Sequence, residues 1–92
     1  MYQITKYTRD KAKKLGVVVR LSTRQGKKID VYTKDGRYIT SVGSRYYYDF
    51  PTYIATHGLE YAKKRRRLYK LRHKNDRNVK GSAGYYADQL LW

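Results

Sequence analysis

The residues with the clearest capacity for chemistry are cations. Lys63, Arg67, Lys70 and Lys74 recur at spacings of four, three and four, which on an α-helix stacks them into one stripe with neighbours about 5–6 Å apart. Arg66, Arg77 and Lys80 extend the row, and Lys11, Lys13 and Lys14 form a second cluster near the start of the chain. A row of this kind matches a polyphosphate or an acidic protein surface. A merely solvated helix face would interleave acids for i,i+4 support, and no acid follows Glu60 along the helical stretch. The pattern therefore asks for an anion without naming it.

A second candidate is Tyr46-Tyr47-Tyr48, within a chain that holds 12 tyrosines. Aromatic side chains stack on nucleobases in single-strand binders. Tyrosine equally anchors protein interfaces, with a large apolar body and a polar tip, and interface anchoring is the reading adopted here. Other chemistries find little support. His57 and His73 stand apart in a chain without cysteine, so no tetrahedral metal set is expected, nor any other cofactor. Ser41, Ser44 and Ser82 lack a nucleophile-elbow context, and Gly81-Ser82-Ala83-Gly84 lacks the lysine that ends a phosphate-binding loop. The expectation is a protein that is not an enzyme. No standard nucleic-acid module is recognisable either.

Composition bounds these readings. With 92 residues and a formal charge of +15 from 22 Lys and Arg against 7 Asp and Glu, the chain suits one small domain facing a polyanionic or acidic partner. The charge is blocked. Residues 1–28 carry nine bases and one acid, residues 63–80 ten bases and one acid, and the segments between and after them are close to neutral. Two basic blocks thus flank a neutral, tyrosine-rich centre where a core can form. No apolar run approaches the roughly 18 residues of a spanning helix, so no membrane span is expected, and residues 1–14 lack the apolar segment of a secretion signal.

The elements that must position these groups follow from periodicity. Residues 1–15 read as a basic N-terminal segment that suits a short helix or an extended arm, the arm being preferred, with residues 16–92 as a single small α+β domain. Gly16 to Leu21 is a short β-branched strand. Ile29, Val31 and Thr33 alternate with Asp30, Tyr32 and Lys34; Asp35-Gly36 then suits a two-residue type I′ turn, and Arg37 to Val42 returns as a hairpin. That register sets Val31 opposite Thr40 and Ile29 opposite Val42, leaving Asp30, Lys34, Arg37 and Ser41 on the other face. Pro51 suits the first turn of a short helix and Gly58 its end. A longer helix spans about residues 59–74, with Tyr61, Ala62, Leu68 and Tyr69 away from the basic stripe. Arg65 and Arg72 fall among those apolar positions, so they must pair with an acid such as Asp49 or Asp88 or point into a partner. Ser82 can cap a closing helix whose Tyr86, Leu90 and Leu91 seal the core.

From Asp30 onward the landmarks resemble a small family, without an assigned activity, of the nucleocytoplasmic large DNA viruses of algae and protists. The matching pieces are Asp35-Gly36-Arg37, Val42-Gly43-Ser44, Tyr48-Asp49-Phe50 ahead of His57, the basic helix with Tyr69 and Arg72-His73, and the closing Gly81-Ser82-Ala83-Gly84-Tyr85-Tyr86 and Leu90-Leu91-Trp92. Tyr85-Tyr86 stands where Phe-Trp is usual in that family, whose members run on past the position of Trp92. Residues 1–29 lie outside the resemblance.

The resemblance implies a virion component, made inside a host cell and held in a large assembly. The combined expectation is an α+β fold, a small antiparallel hairpin or three-stranded meander packed against a helical C-terminal half. Its function would be that of a minor capsid protein docking onto the major capsid or other virion proteins, and onto packaged DNA, through its basic and tyrosine-rich surfaces. The rival expectation is a DNA- or RNA-binding protein without sequence specificity.

Overall fold

A computed structural model describes residues 2–92. Three strands, β1 (Val17–Leu21), β2 (Lys27–Thr33) and β3 (Tyr38–Ser44), form an antiparallel meander in the order β1-β2-β3. Four helices accompany it: α1 (Lys6–Leu15) before the sheet, then α2 (Phe50–His57), α3 (Leu59–Arg72) and α4 (Ala83–Leu91). The α+β architecture with a helical C-terminal half agrees with the sequence reading.

The N-terminal segment does not. Residues 6–15 are helical rather than an extended arm, because both ends of the segment are capped. The Thr5 hydroxyl accepts from the Thr8 amide at 3.2 Å, and Gly16 takes a left-handed conformation with φ 76° that returns its amide to the Ala12 and Lys13 carbonyls. Thr8 and Ala12, one turn apart, face inward, and the buried Thr8 hydroxyl donates to the Leu90 carbonyl at 2.8 Å. Helix α1 is thereby joined to α4, and its basic residues ride on a fixed support.

Strand pairing sets Ile29 opposite Val42 and Val31 opposite Thr40, as the alternation requires. The turn differs from the two-residue expectation. The Thr33 carbonyl accepts from the Gly36 amide at 3.0 Å and the Thr33 amide donates to the Arg37 carbonyl at 2.8 Å, so Lys34, Asp35 and Gly36 form a three-residue loop with Gly36 at φ 93°. Such a loop displaces the pairing by one residue, which would turn the apolar face outward. An irregularity between Val31 and Tyr32 restores the register beyond it.

The core joins Val19, Ile29, Val31 and Val42 of the sheet to Ala12 of α1 and Leu90 and Leu91 of α4. Asp30 and Ser41, expected together on the polar face, are both buried. The Asp30 carboxylate accepts from the Ser22 hydroxyl at 2.6 Å and the Ser41 hydroxyl at 2.5 Å. Burial acts to raise its pKa, but these two hydroxyls, the Thr23 amide and the Arg24 charge outweigh it and hold the carboxyl below its ordinary value.

A second buried polar centre connects the sheet to the helices. The Lys28 ammonium lies 3.2 Å from an Asp49 carboxylate oxygen, which also accepts from the Tyr2 hydroxyl at 3.0 Å. The other oxygen caps α2 through the Thr52 amide at 3.1 Å. Burial lowers the Lys28 pKa, with the Asp49 charge and hydrogen bond acting the other way. Gly43, at φ 81°, leaves room for this arrangement: a Cβ there would sit 2.7 Å from Leu91 Cδ1 and 3.1 Å from the Lys28 stem.

Two tests follow from these centres. Lys28→Met leaves the buried Asp49 carboxylate without its cation, and urea denaturation is expected to show a loss of about 3–5 kcal/mol, with Lys28→Met plus Asp49→Asn recovering at least half of it. For Asp30 the folded pKa lies below the unfolded one, so its stabilisation is complete above pH 3.8 and fades as pH falls through the folded value. Asp30→Asn is therefore expected to lower stability at neutral pH by about 1–3 kcal/mol and to flatten the stability curve below about pH 4.

Candidate cationic docking face

Helix α3 presents its stripe beside an open depression of about 470 Å³ lined by Lys63, Arg66, Arg67, Lys70, Leu71, Lys74 and Arg77. Its six cations come from α3 and from the turns that follow it. Lys63, Arg67 and Lys74 are exposed and make no ion pair among the described residues. Lys70 is engaged otherwise: its ammonium donates to Asp88 of α4 at 2.7 Å, and Arg77 approaches the other oxygen of the same carboxylate at 3.8 Å. The acid missing from the helix is supplied from another element, and one buried carboxylate serves two cations.

Arg66 is held by a ring. Its guanidinium lies 4.0 Å from the centroid of Phe50, whose other neighbour is Tyr7 of α1 at 5.5 Å. This contact brings the two basic blocks into one field. Burial lowers the Lys11 pKa; the Asp88 carboxylate opposes that effect, while Arg66 and Lys14 reinforce it. Lys11 of α1 therefore lies within the electrostatic reach of Arg66 and Asp88, although more than fifty residues separate it from them in the chain. Lys13 is exposed and, with Lys14, lowers the pKa of Asp10, for which the larger effect is the Lys6 hydrogen bond. Lys80 is exposed in the connection before α4 and does not line the depression.

Arg65 and Arg72, expected to pair with an acid or to point into a partner, resolve differently. Asp49 is occupied by Lys28 and Asp88 by Lys70 and Arg77, so neither carboxylate holds Arg65 or Arg72. Arg65 lies over the Tyr53 ring at 5.5 Å with its Nε unpartnered, and Arg72 is exposed. Tyr61 and Leu68, grouped with Ala62 and Tyr69 by periodicity, are 40% and 41% exposed, whereas Ala62 and Tyr69 are buried. The tyrosine triplet divides as well. Tyr46 and Tyr47 are 78% and 74% exposed in a turn after β3. Tyr48 turns back onto Tyr53 at 5.3 Å.

An aromatic joint fixes α3 to the end of α4. The Trp92 indole stacks on Tyr69 at 4.5 Å with only 10° between the planes, and His73 stacks on Tyr69 at 4.4 Å. The Tyr69 hydroxyl is pushed up to about 12, first by burial and then by the Asp88 and Asp76 carboxylates, with Arg72 opposing. The remaining histidine, His57, stacks on Tyr61 at 4.7 Å. Among the described residues no group of three or more His, Cys, Asp or Glu gathers in a metal-binding cluster. Ser41 belongs to the Asp30 network and Ser82 caps α4 through the Tyr85 amide at 3.1 Å. No family model, curated protein or solved structure matches this chain.

Lys28 is the residue that the sequence reading overlooks, and Asp88, expected as a partner of Arg65 or Arg72, holds Lys70 and Arg77 instead. The signal for the carboxylates is scarcity: with seven against 22 cations, any acid at a helix start or on an apolar face has a structural task. Asp88→Asn tests the arrangement through two opposite effects. Stability is expected to fall by about 1–3 kcal/mol in denaturant titrations. Affinity for heparin is expected to rise severalfold, because Lys70 and Arg77 lose their internal counter-charge.

Proposed function

We propose that this protein is a small non-catalytic structural component of a virus particle, a minor capsid protein that joins neighbours through two surfaces of different chemistry. The observation that carries the reading is the occurrence on one small chain of a cationic face with Lys63, Arg67 and Lys74 exposed and without an ion pair among the described residues, and a separate turn exposing Tyr46 and Tyr47. Cations in that arrangement suit an acidic neighbour or the phosphates of packaged DNA. Exposed tyrosines suit a pocket on another protein, where a large ring and a hydroxyl are accommodated together. The sequence resemblance to a family of large DNA viruses supplies the setting.

A nucleic-acid role outside the particle is the second reading. It is favoured by the same three cations, two on α3 and one in the turn after it, with no carboxylate in the sequence between Lys63 and Lys74. Binding through them would be phosphate-directed and strongly salt-dependent.

Two measurements separate these readings. Nuclease-treated particles fractionated into shell and DNA core are expected to retain the chain with the shell, crosslinked to capsid proteins through Lys63 and Lys74; recovery with the core, or absence from particles, would favour the second reading. For DNA binding in vitro, Lys63→Gln, Arg67→Gln and Lys74→Gln together are expected to reduce the slope of log affinity against log salt by about 2–3, at roughly 0.9 per phosphate contact. An unchanged slope would remove this face as the contact surface.

A further inference from the structure

Helix α3 carries a second pattern on its outer side, which the basic stripe does not account for. Tyr61, Lys64, Leu68 and Leu71 follow one another at spacings of three, four and three, the rhythm of the apolar seam of a coiled coil. The apolar members reach solvent: Leu71 is 63% exposed, Leu68 41%, and Tyr61, stacked on His57 of α2 on one side, 40%. Lys64 can lay its aliphatic stem along such a seam and keep its ammonium in water. In this frame the flanking helical positions that face a partner's charges are Arg67 on one side and Arg65 and Arg72 on the other, with Glu60 the single acid and Lys74 in the turn just past the helix end. The seven-residue interval between Arg65 and Arg72 thereby acquires a meaning. Both occupy the same flank, Arg65 partly covered by Tyr53 of α2 and Arg72 exposed.

We infer that the outer face of α3 is a docking seam for an acidic amphipathic helix of a protein partner, with Tyr61, Leu68 and Leu71 against its apolar stripe and Arg67, Arg72 and Lys74 against its flanking carboxylates. Charge decides the occupant. A second copy would set the same cations opposite one another at a helix–helix distance of about 8–10 Å, with only Glu60 to answer them. Nucleic acid would satisfy the cations yet has no use for two leucines in the middle of the contact, since phosphate binding is electrostatic. An acidic helix satisfies both features at once. The inference rests on the structural reading above and names the chemistry of the protein neighbour.

The test uses the full chain and a synthetic helical peptide with leucines in a heptad seam flanked by glutamates. A control peptide of the same composition has its leucines moved off the seam. In fluorescence anisotropy at about 0.15 M salt, where exposed charges are screened beyond roughly 8 Å, the seam peptide is expected to bind at least about tenfold more tightly than the control. Leu68→Gln with Leu71→Gln keeps the charge unchanged and is expected to abolish that preference, while Leu68→Gln alone, outside the lining of the cationic depression, leaves heparin binding within about twofold. Thermal melts followed by circular dichroism check that the variant is folded, and Leu71→Gln alone, at the most exposed of the three positions, provides a milder second variant.

Equal binding of the two peptides, or a preference that survives in the folded double variant, would overturn the seam. So would phosphatidylserine vesicles that bind the chain through the leucines when the peptide does not, or a dimer in sedimentation that the double variant dissolves. Failure of the structural reading is a separate result: the chain would be missing from purified particles while the peptide preference stood.

Discussion

The buried pair of Lys28 and Asp49 is the constraint on which the rest of the molecule depends. One carboxylate receives the Lys28 ammonium from the middle strand, the Tyr2 hydroxyl from the N-terminal segment and the first turn of α2. Removing two charges from water costs several kcal/mol per ion, and that cost is offset only when geometry and further hydrogen bonds are good. Here every participant lies on a different segment, so satisfying the pair fixes where the chain must turn after β3 and where the α2–α3 hairpin must begin. The tyrosine turn lies within that interval. Its position on the surface is thus set by a polar contact in the interior.

Charge is the second organising problem. A chain with a formal charge of +15 repels itself on folding, and this one gathers its two basic blocks around α1 and α3 rather than dispersing them. Asp88 makes the gathering tolerable by serving Lys70 and Arg77 from the buried side. The Phe50 ring serves Arg66 in the same way without a counter-charge. Lys63, Arg67 and Lys74 are left outside this arrangement, and any anion that binds them relieves repulsion as well as forming contacts.

Much of the architecture is legible from local patterns, since a hairpin and a capped helix are specified by residues close in sequence. The meander, the limits of α2 and the Ser82 cap follow in this way. The turn of the hairpin shows a finer limit: Asp35-Gly36 fits a two-residue loop by type, yet a three-residue loop with a compensating irregularity reaches the same core register. Helix α1 was equally available in the sequence through Thr5 and Gly16, but the lysines obscure its apolar positions, Thr8 and Ala12, which are small and partly polar. The candidate face is legible as a stripe of α3 alone. That Lys70 belongs to Asp88, that Lys11 lies within electrostatic reach of Arg66, and that Leu68 and Leu71 look outward depend on how helices dock, which no local pattern states. A helix with apolar residues on two sides does not declare which side the core will take.

The way α2 and α3 join the body has a consequence for how the molecule breathes. The hydrophobic core is built by α1, the sheet and α4, whereas the buried side chains of the hairpin, Phe50, Ala62 and Tyr69, lie outside that cluster. The hairpin is held by ring stacking on Trp92, by the Asp88 ion pairs and by the Asp49 cap. Such contacts can separate without opening the apolar centre, so the hairpin is expected to open at a lower free energy than the sheet, its amide protons exchanging through partial openings that leave the strands paired. The surface that carries the free cations belongs to that outer unit, and a bound neighbour would hold it closed.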